Sequence, residues 1–258
     1  MEGISRVEKK NIGGVGISNV DLEQTIEYFN KSILNGNKIR VCVTPVNCIL
    51  WAKDNDVLAN IYNTANLTLC DGVPVLWAAK YLGTPLKGRV TGLDLLPEYV
   101  KQAANKNIKM FFLGAKEGVA EALKNKFEQQ FPTIKICPVY SPPFAEKFSD
   151  EENARMIGLI NEHKPNILWV SLTAPKQDYW IHEHFDKLDV NVAIGIGGAF
   201  EVTAGLIQRA PVWMQKAGLE WFFRFIKEPR RMFSRYFIEA PQFIPLVLKQ
   251  KFFSKGRK

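Results

Sequence analysis

The sequence predicts an α/β fold, in which helices flank a mostly parallel sheet and a helical appendage follows. Short β-branched or apolar runs alternate with longer amphipathic stretches, which is the pattern of parallel strands joined by helices. Several amphipathic stretches begin at Asp or Ser and end near Gly or Pro, as helices do. From residue 205 onward the pattern changes to basic, aromatic helices interrupted by prolines.

These patterns give a definite set of elements. The predicted strands are 39–44, 66–70, 108–113, 133–139, 166–172 and 191–196. The predicted helices are 19–34, 48–63, 73–82, 93–106, 117–130, 150–163 and 176–187. The change of pattern divides the chain into an α/β core, residues 1–204, and an appendage, residues 205–258.

The composition indicates in which cell compartment the protein lies. The 258 residues are 47% apolar, enough for one large core. The four cysteines form no C-x-x-C pair and lie mostly in apolar runs, which is typical of reduced thiols in the cytosol. The amino-terminal residues lack the apolar segment of a signal peptide, and no apolar run approaches the roughly 18 residues of a membrane helix. We therefore expect a cytoplasmic protein that does not cross the membrane.

The net charge of +8 is concentrated in the appendage. Residues 205–258 hold 12 Lys and Arg against 3 Asp and Glu, whereas residues 1–204 have a net charge of −1. The appendage also holds 11 of the 30 aromatic residues. Basic and aromatic residues together suit an anionic lipid surface or a nucleic acid. The core offers no extended basic face, so the sequence favours lipid and argues against nucleic acid.

Four predicted strand ends carry small or polar residues. They are the segments 44–47, 70–72, 174–177 and 195–201. Ligands of open α/β sheets bind at the carboxyl ends of the strands, so these segments are the candidate site. The glycines of the segment 195–198 either approach a diphosphate or form an ordinary turn. They do not match G-x-G-x-x-G, and the sequence has no Walker motif.

Asp71 is the candidate base. It follows an apolar run and precedes a glycine, so it is either a turn aspartate or a carboxylate that takes a proton from a sugar hydroxyl. The residues alone leave both readings open.

No metal site is predicted. His182 and His184 are two residues apart, on different sides of a helix, and a solvated helix surface is the favoured interpretation. Asp54 and Asp56 resemble a D-x-D motif but fall within a predicted helix, so they are expected on its exposed face. Without a metal, arginines would offset the charge of a leaving diphosphate. The candidates, each of which could instead be a surface charge, are Arg89, Arg224, Arg230, Arg231 and Arg235.

Seven short segments together resemble one family. They are CDG (70–72), GRVTGLD (88–94), FFLGA (111–115), APKQD (174–178), GIGGAF (195–200), RAP (209–211) and LEWFFRFIKEPRR (219–231). In this order they resemble the WecG/TagA/CpsF family, glycosyltransferase family 26. The resemblance implies a Rossmann-like core and no cofactor. It also implies an inverting, metal-independent transferase on the inner face of the bacterial membrane, which makes teichoic acid linkers or other surface polysaccharides.

The resemblance also implies partners and residue roles. The donor would be a UDP-sugar carrying N-acetylmannosamine, its uronic acid or a hexose, and the acceptor a polyprenyl-diphosphate-linked sugar. Asp71 would be the base, with Arg224 and Arg231 in catalysis. The remaining residues would bind substrate, and they are Thr44, Asn47, Arg89, Gln177, Gly197, Gly198, Glu201, Arg230 and Arg235.

Two points stay open at this level. The alternative function is a non-catalytic nucleotide-binding module that docks on anionic membrane through its basic tail. The oligomeric state is also open, with a homo-oligomer as one alternative.

Overall fold

A parallel six-stranded sheet forms the centre of the molecule, and its α/β, Rossmann-like architecture confirms the predicted fold class. The computed structural model describes residues 7–255, apart from the side chains of Lys216, Arg231, Ser254 and Lys255. The strands are β1 (Lys9–Ile12), β2 (Val15–Ser18), β3 (Ile39–Thr44), β4 (Leu67–Cys70), β5 (Lys109–Gly114), β6 (Lys135–Ile136), β7 (Ile167–Ser171) and β8 (Val192–Gly195). The first two form an antiparallel hairpin, and the others form the parallel sheet in the order β4-β3-β8-β7-β5-β6.

Helices connect the strands and continue beyond the sheet. Those before residue 205 are α1 (Leu22–Leu34), α2 (Val46–Lys53), α3 (Asp56–Thr64), α4 (Val73–Leu82), α5 (Gly92–Ala103), α6 (Val119–Gln130), α7 (Asp150–His163), α8 (Lys176–His184) and α9 (Ala199–Ala204). Those after it are α10 (Val212–Lys216), α11 (Glu220–Lys227), α12 (Pro229–Phe233) and α13 (Phe243–Lys255). A π-helical segment (Ser234–Glu239) and a 3-10 turn (Ala240–Gln242) join α12 to α13.

The strands are buried on both faces because alternate side chains enter different cores. Trp169 of β7 and Ile194 of β8 point into the core under α1, α5, α6 and α9. Leu168 and Val170 enter a second core with α7 and α8. The hairpin, α2, α3 and α4 enclose a third core. This double burial explains the continuous apolar runs in the sequence.

Several predicted boundaries were wrong. The stretch 48–63 is two helices, because the Asn55 side chain accepts a hydrogen bond from the Leu58 N–H (2.9 Å) and starts a new helix there. Asp54 and Asp56 therefore lie at a helix junction, both exposed. The strand predicted at 133–139 contains only Lys135–Ile136, and the β1-β2 hairpin was not predicted.

The last helix packs against the first hairpin. Phe243 and Val247 of α13 are buried in the core beside the hairpin. The Gln250 side-chain oxygen accepts a hydrogen bond from the Gly13 N–H (2.7 Å). These contacts join the two ends of the described chain. They hold α13, the last helix of the appendage, against the core.

Gly114 is required where β5 ends. Its φ is +101°, a left-handed value that favours glycine. A Cβ at this position would lie 2.5 Å from the Ser171 carbonyl oxygen of β7. The close approach of β5 and β7 at the edge of the sheet depends on this missing side chain.

We expect Gly114→Ala to lower the free energy of unfolding by about 2–4 kcal/mol, because a strained backbone adds to a steric clash. Urea unfolding measures this change. Gly158→Ala is the matched control, since Gly158 is exposed within α7 and has open space at its Cβ position. The control should stabilise the protein by about 0.5–1 kcal/mol. A Gly114→Ala protein as stable as wild type would contradict this account.

Candidate functional site

The predicted strand ends meet at one edge of the sheet. The chain runs from β3 outward to β4 and then crosses to β5, and β8 and β7 fill the gap between them. The ends of β4, β3, β8 and β7 are therefore neighbours. A crevice at such a switch of direction is where ligands bind in open α/β sheets.

Asp71 and Thr44 lie side by side in this crevice. Thr44 is paired with Cys70 across β3 and β4, and the Asp71 N–H donates to the Thr44 carbonyl oxygen (3.3 Å). Thr44 is fully buried, and its hydroxyl has no hydrogen-bond partner among the described residues. A buried hydroxyl without a partner is costly, so Thr44 keeps unused hydrogen-bonding capacity. A ligand would reach this hydroxyl only if the groups that cover it moved.

Asp71 is partly buried among positive charges. Burial raises the pKa of its carboxyl above the ordinary value. Nearby arginine charges oppose this rise in pKa, and they come from Arg224, Arg89 and Arg235. The carboxylate is thus made more basic by burial and kept chargeable by its neighbours, which is what a general base requires.

The glycine segment after β8 is held by Gln177. The Gln177 side-chain oxygen accepts a hydrogen bond from the Gly197 N–H (2.9 Å), and Gln177 is buried. A Cβ on Gly195 would lie 2.7 Å from the Gln177 side chain, whereas a Cβ on Gly197 would meet open space. The segment is therefore tightly packed against Gln177 at Gly195, and it has open space beside Gly197. Gln177, predicted to touch the donor, positions the segment in this structure.

Glu201 adds an acceptor beside the glycines. It lies in the first turn of α9, and one of its carboxylate oxygens is buried without a partner among the described residues. That oxygen lies 3.7 Å from the position of a Cβ on Gly198. Glu201 can therefore accept a hydrogen bond from a ligand that lies over the glycine segment.

Asn47 binds the appendage. Its side-chain N–H donates to a Glu239 carboxylate oxygen (2.7 Å), and its side-chain oxygen accepts from Arg235 Nε (3.2 Å). Both ends of the buried Asn47 amide are thus engaged by the segment between α12 and α13. The contact brings Arg235 into the crevice next to Asp71.

A ring of four ion pairs joins the appendage to the core. Arg89 contacts Asp94 (3.3 Å) and Glu220 (2.9 Å), and Arg209 contacts the same two carboxylates at 2.5 Å and 2.9 Å respectively. The four side chains are 17–27% exposed, so water screens these pairs only partly. We refer to these four residues as the ion-pair ring.

The predicted arginines occupy different positions. Arg224 lies on α11. Its positive charge lowers the pKa of Asp71, and the charges of Arg89 and Arg235 have the same effect. Arg89 was predicted as a donor contact and here forms part of the ion-pair ring. Arg230 is exposed on α12. The side chain of Arg231 lies outside the described part of the structure.

Sequence reasoning missed four residues of this assembly. They are Asp94, Arg209, Glu220 and Glu239. Three of them lie within motifs singled out in the sequence, GRVTGLD, RAP and LEWFFRF, which hinted at their importance. Each of them has a partner more than 100 residues away in the sequence, and local patterns do not predict which charges meet at that distance.

A comparison with protein-family models shows which family the chain belongs to. The model of the glycosyl transferase WecG/TagA/CpsF family matches residues 10–257. The chain belongs to the WecG/TagA/CpsF family. This membership makes it a glycosyltransferase and decides against the non-catalytic binding module.

Two curated relatives are similar to this protein over most of its length. Each carries the name N-acetylglucosaminyldiphosphoundecaprenol N-acetyl-beta-D-mannosaminyltransferase. The relative from Bacillus subtilis strain 168 is 28% identical over 248 residues, which are 95% of this chain and 93% of the relative. The relative from Staphylococcus aureus strain MW2 is 28% identical over 234 residues, which are 90% of each chain.

Apolar side chains of this transferase are exposed on the appendage. The most exposed are Leu206, Val212, Trp213, Ile226, Ile244, Phe252 and Phe253, each with 58–71% of its surface accessible. Over residues 7–255, no helix combines the length and the apolar character needed to span a membrane. Contiguous exposed apolar surfaces are typical of interaction sites.

Two titratable groups of the transferase lie below the crevice, on α8. His184 is half-buried and packs edge-on against Trp180 (5.3 Å between ring centroids), so the predicted solvated surface was wrong at this residue. Asp178 is buried and accepts a hydrogen bond from the Tyr62 hydroxyl (3.3 Å). Burial raises the pKa of Asp178 to about 7, although the Tyr62 hydrogen bond and the Arg40 charge oppose that rise.

We expect Arg209 and Glu220 to be energetically coupled. In a double-mutant cycle with Arg209→Ala and Glu220→Ala, the coupling energy should be about 1–3 kcal/mol, because each side chain belongs to a connected, partly buried set. Urea unfolding of the four proteins measures it. The control pair is Glu27 and Lys31 on α1, which are 2.7 Å apart and 58% and 61% exposed. Its coupling should stay below about 0.5 kcal/mol. Equal coupling in both pairs would contradict the role of the ion-pair ring.

We expect Asp178→Asn to stabilise the protein above about pH 4. Between the unfolded pKa and the folded pKa of about 7, the folded state keeps a proton that the unfolded state has lost. Wild-type stability therefore falls as pH rises through this window, and the asparagine variant lacks that fall. The difference in free energy of unfolding should grow by about 4 kcal/mol from pH 4 to pH 8. Parallel pH profiles of the two proteins would show that Asp178 does not titrate in this range.

Proposed function

We propose that this glycosyltransferase moves N-acetylmannosamine from a UDP-sugar to N-acetylglucosaminyl-diphosphoundecaprenol, with inversion and without a metal. The observation that carries the proposal is the position of Asp71, a carboxylate whose pKa is raised by burial, beside Thr44 at the strand ends and near three arginine charges. The names of the two curated relatives support this acceptor and this sugar. The uronic acid of N-acetylmannosamine and neutral hexoses are the alternative donor sugars.

The reaction is a single displacement. Asp71 accepts the proton of the acceptor hydroxyl as its oxygen attacks the anomeric carbon of the donor. The bond from that carbon to the diphosphate breaks, and UDP leaves from the opposite side, so the configuration inverts. Thr44 donates a hydrogen bond that orients the acceptor.

Arginines take the place of a metal in this mechanism. Negative charge develops on the leaving diphosphate, and a guanidinium group stabilises it through paired hydrogen bonds. Arg224 and Arg235 are the closest candidates, because both act electrostatically on Asp71. Arg89 contributes positive charge while it is held in the ion-pair ring. Arg231, on α12, is assigned the same role of stabilising the leaving diphosphate.

The glycine segment holds the donor. Gly197 and Gly198 present backbone without side chains on the open side, which lets a nucleotide approach closely. Glu201 accepts hydrogen bonds from donor hydroxyls through its unpartnered oxygen. Gln177 keeps the segment in place from below.

The appendage holds the enzyme at the cytoplasmic face of the membrane. Its net charge of +9 and its exposed aromatic side chains fit an anionic bilayer interface. The polyprenyl acceptor is a membrane lipid, so this attachment brings the crevice to its substrate. Residues 205–258 thus serve both membrane binding and completion of the site.

The direct test offers UDP-sugars and a short polyprenyl-diphosphate-linked N-acetylglucosamine to the full chain. Mass spectrometry of the products, with EDTA and with Mg²⁺, identifies the transferred sugar and the metal requirement. A disaccharide lipid formed from UDP-N-acetylmannosamine in EDTA supports the proposal. Product formation only with Mg²⁺ would overturn the metal-free mechanism.

We expect Asp71→Asn to lower kcat by about 10²–10⁴-fold, the range typical of a positioned base, while UDP binding and unfolding stay close to wild type. Asp54→Asn is the matched control, because Asp54 is an exposed aspartate at the end of α2. It should keep wild-type activity. A near-normal kcat for Asp71→Asn would remove Asp71 from the mechanism.

Arg224 and Arg230 should differ in what they contribute. Arg224→Ala should lower kcat by about 10-fold or more, because it removes a charge beside Asp71 and the leaving diphosphate. Both side chains are exposed, so the two arginines are distinguished by the charge effect of Arg224 on Asp71. We expect Arg230→Ala mainly to weaken binding to anionic vesicles, with about 1 kcal/mol lost per basic residue. Steady-state kinetics on a water-soluble acceptor and vesicle sedimentation separate the two effects. The assignment fails if both variants lose only vesicle binding.

A further inference from the structure

Helix α4 of the core carries an exposed aromatic face. Trp77 and Tyr81 are 67% and 49% exposed, and their spacing of four residues places them on the same side of the helix. The opposite side packs into the core through Val75, Ala78 and Ala79. The sheet is therefore already covered by this helix, and Trp77 and Tyr81 are not needed to bury it. Tryptophan and tyrosine are the residues enriched where a protein meets a membrane interface.

The sequence in and after α4 is basic. Residues 72–86 contain Lys80 and no Asp or Glu, and Lys87 follows. Lys80 is exposed and lies between Trp77 and Tyr81 in the sequence. A basic and aromatic surface is complementary to anionic lipid headgroups.

The face continues onto the appendage. Helix α13 packs against α4, and Lys251 Nζ lies 5.6 Å from the centre of the Tyr81 ring. Further along α13, Phe252 and Phe253 are each 71% exposed. The aromatic surface thus spans two elements that are more than 150 residues apart in the sequence.

We propose that α4 is a second membrane-contact element, one that belongs to the core, and that Trp77 and Tyr81 enter the interface of an anionic bilayer beside α13. The inference rests on the proposed action at the membrane and adds a specific docking orientation. Helix α4 begins two residues after Asp71, at Val73. Contact through α4 therefore brings the base itself to the membrane surface, where the diphosphate of a polyprenyl acceptor lies.

The test uses the full chain and vesicles of phosphatidylcholine with about 30% phosphatidylglycerol, which supply an anionic surface. Trp77→Ala/Tyr81→Ala should bind these vesicles about tenfold more weakly than wild type, since two aromatic rings lose their apolar contact. The loss should persist in about 0.5 M NaCl, because salt screens charge and leaves apolar burial intact. The variant should also lose activity on a long-chain acceptor in vesicles and keep its kcat on a water-soluble acceptor.

Two controls make the outcome decisive. Leu34→Ala removes an 85% exposed apolar side chain at the end of α1, which leads into the amino end of β3, and it should bind vesicles as wild type does. Urea unfolding should show unchanged stability for both variants.

If wild type binds vesicles and Trp77→Ala/Tyr81→Ala binds equally well, the inference about α4 is wrong while membrane attachment by the appendage stands. If wild type does not bind vesicles at all, the proposed membrane association fails with it. If sedimentation equilibrium shows that only wild type self-associates while vesicle binding is equal, the face is an interface between copies, and the lipid assignment is overturned.

Discussion

The ion-pair ring is the constraint on which the assembled site depends. Each of its arginines contacts both carboxylates. Two of the four ion pairs, Arg89–Glu220 and Arg209–Asp94, therefore hold the appendage against the core. Removing one member of a partly buried set leaves its partners uncompensated. Arg224 lies four residues after Glu220 on α11, on the same side of that helix. The contact that fixes Glu220 therefore also directs Arg224 toward Asp71.

The sheet was predictable from the sequence because its strands are buried on both faces and read as apolar runs. The core helices were predictable where caps and amphipathic periodicity agreed, as for α7, which begins after Ser149 and ends at His163 as expected. The errors arose where one side chain changes the backbone path. Asn55 caps a new helix inside an otherwise continuous pattern, and pattern alone does not separate a cap from an exposed polar residue. The short hairpin at the amino end had too few residues to show a period.

The arrangement of the candidate site was predictable only in part. Asp71 and Thr44 were selected by the rule that ligands gather at the carboxyl ends of parallel strands, and both lie at neighbouring strand ends. Gln177 was placed in the right region but with a different contact, because only the structure shows that its side chain reaches the Gly197 N–H. The partners of Arg89 and Asn47 lie in the appendage, and their pairing depends on how the last 50 or so residues return to the core. A sequence specifies such contacts through the whole fold, so a local motif does not reveal them.

The hydrogen bonds of the crevice distinguish groups that hold the enzyme together from groups that remain available to substrate. Both ends of the Asn47 amide are occupied, by Arg235 and by Glu239, so a ligand would have to displace the appendage to use it. The Thr44 hydroxyl next to Asp71 has no such partner among the described residues. A buried polar group without a partner destabilises the folded protein, and a ligand that satisfies it gains that energy on binding. This difference is the reason for proposing Thr44, and not Asn47, as the acceptor contact. Asn47, in turn, joins the core to the segment that carries Arg235, so a change at Asn47 would act on the site through the position of that arginine.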